Sequence, residues 1–173
     1  IPEVASGHYT PYVRHRFTIR THPQEIGENG VDRAHFRYVH GTKEVPESTL
    51  EIDGHVRRAV QRAPMQTPRG VVEGTIAVEA HGLGCSITRF SGICETVLVI
   101  SHTPVDAETV LTRFSFTQRA NPDGTPERPG VAGAMVREIV RQLEEDIPIW
   151  ENKRYEARPM LCDGDGPIGA YRR

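Results

Sequence analysis

The stretch between Arg69 and Gly82 places the strongest constraint on how this chain can fold. Side chains in it alternate, and one face carries the apolar or small residues Val72, Gly74, Ile76, Val78 and Ala80. A period of two is typical of a β-strand with one face against a core. A sheet is therefore the first element that any fold for this sequence must contain.

Shorter segments of the same kind precede and follow this strand. Strand patterns are found at residues 13–19, 50–56, 85–91, 93–101 and 109–118. The 50–56 segment is interpreted as two short strands joined by a hairpin turn at Asp53-Gly54. Phe114 and Phe116 share a face of the last strand. The strands follow one another along the chain, which favours antiparallel pairing.

Two segments have helical patterns. A polar one covers about residues 24–40 and is closed by Gly41. The second follows a Pro/Gly/Asp-rich loop at 121–130, and its apolar residues recur at helical spacing: Val136, Ile139, Val140, Leu143, Ile147 and Trp150. The predicted fold is α+β: a START-like helix-grip, in which a curved antiparallel sheet packs on the long C-terminal helix. We expect an apolar cavity between them, lined by Val72, Ile76, Val78, Phe114 and Phe116.

Length and composition limit the class of protein. At 173 residues, we expect one domain spanning 1–173. A net charge of −2 argues against a general nucleic-acid binder, and no apolar run is long enough to span a membrane. Three cysteines without framework spacing favour a reducing cytoplasm. Of these, Cys85 and Cys94 are predicted to be buried apolar residues.

A cluster of polar residues in the first helical segment has the composition of a metal site. Asn29, Asp32, His35 and His40 follow the spacing N-x-x-D-x-x-H-x-x-x-x-H. On one helical face, the Asp32 carboxylate can accept the His35 imidazole N–H that a metal leaves free. Residues five apart are about 140° apart on a regular helix. The two histidines therefore converge only if the helix widens by a residue or ends near Val39; otherwise both are ordinary polar helix residues.

A site with two histidines needs a third ligand, and the late helix offers several carboxylates. Angles around the helix axis, measured from Leu143, distinguish these carboxylates. Asp146 lies at about −60°, beside the apolar stripe, whereas Glu144 and Glu145 lie at about 100° and 200°. Asp146 is the predicted third ligand, although an aspartate at the edge of a stripe can also reach solvent. The resulting 2-His-1-carboxylate set is found in non-haem Fe(II) oxygenases.

The same residues resemble the mononuclear iron motif of Rieske non-haem iron oxygenases. The stretch from Glu145 to Lys153, with Pro159, Leu161 and the segment from Asp165 to Ile168, is similar to the C-terminal signature of their steroid-acting branch. That branch includes 3-ketosteroid 9α-hydroxylase oxygenase components and cholesterol 7-desaturases. The resemblance extends from about residue 24 to the end of the chain, although the middle strands match only in pattern.

The resemblance implies roles for five residues. His35, His40 and Asp146 would bind a mononuclear Fe(II). Asp32 would be the carboxylate that links an iron-ligand histidine to the Rieske cluster of a neighbouring subunit, and Asn29 would be a polar residue near the iron. It also implies a hydrophobic substrate, O2, a ferredoxin or flavin reductase as electron source, and a homotrimer for the full-length protein.

The sequence departs from the family in one respect. A Rieske [2Fe–2S] cluster needs C-x-H followed by C-x-x-H, and Cys85, Cys94 and Cys162 each lack the required histidine. We therefore expect the N-terminal Rieske domain, with its cluster, to be absent from this chain.

Three functions are compatible with these patterns. The first is the catalytic domain of a Rieske-type monooxygenase or desaturase acting on a hydrophobic, steroid-like substrate. The second is a START-like module that binds a hydrophobic ligand without metal chemistry. The third, zinc-dependent hydrolysis, is disfavoured by the histidine spacing and by the lack of a glutamate next to His35. The first is the preferred hypothesis.

Overall fold

A computed structural model describes residues 1–41, 47–67, 70–162 and 164–172. Seven strands and five helices are assigned within these ranges. In chain order they are α1 (Pro2–Ala5), β1 (Val13–Ile19), α2 (Pro23–Asn29), α3 (Ala34–Tyr38), β2 (Glu47–Asp53), β3 (Val56–Thr67), β4 (Gly70–His81), β5 (Cys85–Ser91), β6 (Thr96–Pro104), β7 (Val110–Gln118), α4 (Pro129–Asn152) and α5 (Ile168–Tyr171). No helix in the described ranges combines the length and apolar character needed to cross a bilayer.

All seven strands form one antiparallel sheet in the order β1-β7-β6-β5-β4-β3-β2. Strands β2 to β7 form a meander, because each pairs with the next along the chain. The predicted hairpin between β2 and β3 is present, with Asp53 paired to Val56 across the turn. The alternation predicted for β4 is also observed, since Gly74 and Ala80 on one face are buried while Val71 on the other is exposed.

Helix α4 covers the inner face of the sheet and forms the core with it. Phe116 and Ile19 are 1% and 0% exposed, and they belong to one apolar cluster with Val136, Leu143 and Trp150 of α4. A polar contact fixes the start of the helix, where the Gln118 side chain donates to the Ala132 carbonyl at 3.0 Å. The predicted α+β helix-grip is confirmed.

The connection between β1 and β2 determines where the helices α2 and α3 lie. These strands occupy opposite edges of the sheet, about 29 Å apart at 4.8 Å per strand. The chain must therefore cross the width of the sheet between Ile19 and Glu47. Helix α2 contacts β6 on the way, so the polar cluster identified in the sequence belongs to a crossing segment next to the core.

Two expectations from the sequence are wrong. The segment 24–40 is not one helix but two, α2 and α3, separated by residues 30–33. Cys85 is exposed, because it ends the turn at the tip of the β4–β5 hairpin, whereas Cys94 is buried as predicted. Phe114 and Phe116, two of the five residues predicted to line an apolar cavity, pack edge to face, 5.9 Å apart, in the core cluster that includes residues of α4.

The structure contains a cavity of about 710 Å³ at the C-terminal end of α4. Its lining combines polar and apolar surface and includes Arg20, Thr21, Glu25, Trp150 and Lys153. None of the five residues predicted to line an apolar cavity is among the residues around it.

Candidate metal centre

The end of α3 brings His35 and His40 together despite their spacing. Helix α3 ends at Tyr38, and the His40 backbone N–H donates to the His35 carbonyl at 3.3 Å, a bond that spans five residues. Gly41 then leaves the turn with a φ of +70°, a backbone conformation that glycine adopts without strain. The widened and terminated turn predicted from the spacing is therefore present.

Three side chains converge at this turn. His35, His40 and Asp146 of α4 each offer one ligand atom within 4.8 Å of the others, and His40 Nε2 lies 3.5 Å from Asp146 Oδ1. Atoms bound to one ion at about 2.1 Å are about 3 to 4 Å apart. The three side chains would therefore need to move little to bind the same ion. Within the described ranges no other group of three possible ligands is this close. The predicted convergence is confirmed.

Burial separates the convergence point from solvent. His35 and Asp146 are 7% and 6% exposed, and the His40 side chain is 3% exposed. A buried carboxylate is costly without a partner. Asp146 receives a hydrogen bond from Asn29 Nδ2 at 2.9 Å to Oδ2, which leaves Oδ1 facing His40. Asn29 of α2 therefore lies where the sequence motif predicted, beside the ligand trio.

Both imidazoles use Nδ1 to bind protein, which leaves Nε2 as the free nitrogen of each ring. His35 Nδ1 is in a short hydrogen bond with the Asp32 backbone carbonyl, and His40 Nδ1 lies 3.1 Å from Glu145 Oε2. A carbonyl or carboxylate can only accept, so each Nδ1 carries the proton. This is how histidine ligands of metals are commonly oriented.

Asp32 orients His35 through its backbone rather than through its carboxylate. The carboxylate Oδ1 instead accepts from the backbone N–H groups of Ala34 and His35, at 3.0 and 3.3 Å. The predicted bond between the Asp32 carboxylate and the His35 ring is therefore wrong. Asp32 precedes α3 rather than lying within it, and a carboxylate in that position binds the free N–H groups at the helix start.

The two histidines differ in pKa. Burial lowers the pKa of His35 below its usual value, so this ring is neutral near pH 7. Burial also disfavours charge on His40, but hydrogen bonds to Asp146 and Glu145 outweigh it and raise the pKa of His40. Without metal, His40 thus tends to hold a proton between the two carboxylates, and a cation would take the place of that proton.

Glu145 is the site residue that the sequence did not predict. Its carboxylate binds His40 through Oε2 and Arg141 through Oε1, and Arg141 is also paired with Glu138. Helical angles placed Glu145 away from the apolar stripe, which is correct, since its side chain is one-third exposed. Glu145 contributes to the site because the His40 side chain lies beside it, and a contact between residues so far apart in sequence leaves no local pattern.

Two imidazoles and one carboxylate on one side of a buried space suit a divalent first-row metal. The oxygen-rich shells preferred by Mg²⁺ and Ca²⁺ fit less well. Three protein ligands also leave coordination positions for other molecules. The donor set therefore matches a catalytic site more closely than a closed structural one.

Residues 1–173 match the family model described as 3-ketosteroid 9alpha-hydroxylase C-terminal domain. The chain is 26% identical to the oxygenase component of 3-ketosteroid-9-alpha-monooxygenase from Rhodococcus rhodochrous, over all of this chain and 50% of that protein. It is 28% identical to cholesterol 7-desaturase from Caenorhabditis elegans, over all of this chain and 46% of that protein. The chain thus spans about half the length of these relatives.

The fold is similar to that of a solved structure, NdmA from Pseudomonas putida CBB5 with caffeine. The TM-score is 0.75, at 17% identity, over 98% of this chain and 52% of that one. At this identity the likeness is one of fold. Because the family model covers every residue, the chain belongs to the 3-ketosteroid 9alpha-hydroxylase C-terminal domain family, as the resemblance in its sequence predicted.

Proposed function

We propose that the chain is the catalytic domain of a Rieske-type oxygenase, in which His35, His40 and Asp146 bind a mononuclear Fe(II). The observation that carries this proposal is the convergence of the three buried side chains, whose possible ligand atoms all lie within 4.8 Å of one another. The bound Fe(II) would supply activation of O2 for hydroxylation or desaturation.

The surrounding residues hold the ligands in this arrangement. Asn29 restrains Asp146 through one carboxylate oxygen and leaves the other for the metal. Asp32 fixes His35 through its carbonyl, and Glu145 fixes His40 through its carboxylate. We further propose that Asp32, which is only partly buried, is the route by which electrons reach His35 from a cluster on another subunit.

We propose a hydrophobic, steroid-like substrate, since relatives are named for 3-ketosteroids and for cholesterol. The Rieske [2Fe–2S] domain would lie outside these 173 residues and would receive electrons from a ferredoxin or flavin reductase. The full-length protein would be a homotrimer. The three thiols of the described cysteines are free, which supports a cytoplasmic location.

Metal analysis tests this function against a START-like module that binds a hydrophobic ligand without metal. Protein purified without oxygen and loaded with Fe(II) is expected to retain about one iron per chain. His35→Ala, His40→Ala and Asp146→Ala should each lose it, whereas the exposed His81→Ala should not. Absence of iron in the wild type, or its retention in all three variants, would favour the metal-free module.

A further inference from the structure

Arg57 is a partly buried cation on the inner face of β3, opposite Ala80 of β4. Ala59, two residues later on the same face, is buried. None of the ion pairs between the described residues includes Arg57, and burial lowers the pKa of its guanidinium group. Burial of a charge is costly unless its donors are used. The contacts that Arg57 does make therefore indicate its role.

Those contacts are with the end of α2. Arg57 Nη1 donates to the Gly27 carbonyl at 3.1 Å, and a Cβ on Gly30 would lie 3.3 Å from Arg57 Nη2. A cation beside the last carbonyls of a helix is also favoured by the helix dipole. Asn29, the last residue of α2, lies between these two glycines. Arg57 thus contacts the backbone on either side of Asn29.

Tyr171 of α5 contacts both Arg57 and α2. The guanidinium carbon of Arg57 lies 4.8 Å from the centroid of the Tyr171 ring, and the Tyr171 hydroxyl donates to the Gln24 carbonyl at 3.2 Å. The same hydroxyl occupies the space that a Cβ on Gly27 would need. The Arg57 side chain is therefore held between an aromatic ring and the backbone that it binds.

Helix α2 depends on such support from the rest of the molecule. It has seven residues, and helices shorter than about 12 residues are marginally stable alone. Asn29 Nδ2 nevertheless lies 2.9 Å from Asp146 Oδ2 on α4. Because this bond restrains a predicted metal ligand, the place at which α2 is held against the sheet affects the metal centre.

We propose that Arg57 is a positioning residue for the metal centre, which holds the end of α2 so that Asn29 restrains the Asp146 carboxylate. The inference rests on the proposed function, because it gives Arg57 a role in Fe(II) binding. Arg57 acts through the backbone of α2 and then through the Asn29 amide, rather than through a bond to one of the three ligands.

A double-mutant cycle tests this inference. Fe(II) affinity is measured without oxygen, by competition with a chelator, for Arg57→Ala, Asn29→Ala and the double variant. Each single substitution should lower the affinity about tenfold, as is typical when a residue that orients a metal ligand is lost. The double variant should bind iron no more weakly than Asn29→Ala, because both changes remove the same restraint. Losses that multiply, or an Arg57→Ala affinity equal to that of the wild type, would overturn the proposal.

Arg58→Ala is the matched control. Arg58 follows Arg57 on β3, but its side chain is exposed and pairs with Glu79. Its substitution should leave the Fe(II) affinity at the wild-type value. A loss equal to that of Arg57→Ala would show that removal of any cation from β3 has this effect, and would refute the specific role of Arg57.

Arg57→Lys keeps the test decisive if Arg57→Ala does not fold. Lysine retains the charge and a donor but not the second nitrogen beside Gly30, so iron should bind less tightly than in the wild type and again without additivity with Asn29→Ala. Amide hydrogen exchange of the metal-free protein should become faster in α2 and stay unchanged in α4. Unchanged exchange in α2, or faster exchange throughout the chain, would contradict the proposal.

Iron in the wild type separates this inference from the proposed function. Iron that the wild type binds, but that Arg57 variants lose independently of Asn29, rejects the role of Arg57 alone. Absence of iron from the wild type rejects the oxygenase function.

Discussion

Glu145 controls the orientation of the His40 ring although it is not one of the three ligands. Its carboxylate holds Nδ1 at 3.1 Å and thereby aims Nε2 at Asp146. Loss of such a partner typically lowers metal affinity 10- to 100-fold. We expect Glu145→Ala to weaken Fe(II) binding at least about tenfold, measured by competition with a chelator. The matched control is Glu144→Ala, since Glu144 is exposed on the same helix; an equal loss there would contradict the prediction.

Substitution of Asp32 tests whether its carboxylate is structural or electron-transferring. Asn retains an acceptor oxygen for the Ala34 N–H, so Asp32→Asn should keep the fold and the iron. If Asp32 is the proposed electron route, electron delivery from a Rieske domain should nevertheless weaken, because the substitution removes the carboxylate charge. Asp32→Ala should lower the free energy of unfolding by about 1 kcal/mol as α3 loses its N-terminal acceptor. Unfolding of Asp32→Asn would assign the carboxylate a structural role alone.

The ligand residues could be predicted from the sequence because their geometry is mostly local. Because His35 and His40 are five residues apart, they could converge only if their helix widened or ended between them. The position of Asp146 around the axis of α4 placed it at the edge of the buried apolar stripe. Roles that depend on where the backbone leaves the helix could not be predicted. The bond from His35 to the Asp32 carbonyl, rather than to its carboxylate, depends on the break between α2 and α3, and no side-chain pattern encodes it.

A buried ion-pair cluster joins α2 to the end of α4 and to the C-terminal segment. Glu28 is 4% exposed and binds both Lys153, at 2.8 Å, and Arg172, at 2.5 Å. Lys153 also pairs with Glu25 at 2.7 Å. Because α2 carries Asn29, this cluster holds one wall of the metal centre against α4.

The cluster predicts how stability depends on pH. Burial would raise the pKa of Glu28, but hydrogen bonds from Arg172 and Lys153 lower it below its usual value. Its stabilisation is therefore present above the ordinary glutamate pKa and is lost as the pH falls through the lowered value. Glu28→Gln should lower the free energy of unfolding by about 2 kcal/mol at pH 7, less than for a fully buried pair because Lys153 is partly exposed.

Urea unfolding across pH tests this prediction. The difference between wild type and Glu28→Gln should shrink as the pH falls below the ordinary range of a glutamate carboxyl. Glu144→Gln, at an exposed position of α4, should match the wild type throughout. A difference that stays constant with pH would mean that Glu28 acts through packing and not through its charge.

The strands were easier to predict than the early helices, for a physical reason. A strand with one buried face shows a period of two in its own sequence, so β4 and β7 lie close to their predicted bounds. Helices α2 and α3 are short and cross a sheet edge to edge. Their ends depend on contacts such as that of Gly166, which has a φ of +69° and leaves no room for a Cβ beside the Val31 carbonyl.

The order of the strands in the sheet explains why the candidate metal centre lies beside α4. Strand β1 pairs with β7, although β2 is next in sequence, so the crossing segment is forced over the sheet beside α4. The sequence predicted a sheet gripping a helix but not this order, since strand pairing between distant segments leaves no local pattern. The position of Asp146 opposite the histidines is a consequence of that topology.

The proposal that the Rieske domain lies outside these residues predicts how their iron site can be reduced. The 173 residues contain no C-x-H or C-x-x-H motif for a Rieske cluster. Steady-state oxidation of a sterol by this chain with NADH and a reductase alone is therefore not expected, even with iron bound. Product measured over many turnovers under these conditions would contradict the prediction. A chemical reductant in a single-turnover experiment is the control that the iron is competent.

A head-to-tail ring needs two complementary surfaces on every subunit, and in the proposed homotrimer much of that surface would belong to the Rieske domain. The outer side of α3, which follows Asp32, has Tyr38 78% exposed and Arg37 exposed. An exposed aromatic and a cation beside the proposed electron route are suited to contact a partner subunit. We therefore expect these 173 residues alone to sediment as a monomer or a loose oligomer at micromolar concentration. A tight trimer would show instead that the catalytic domains hold the ring together without that surface.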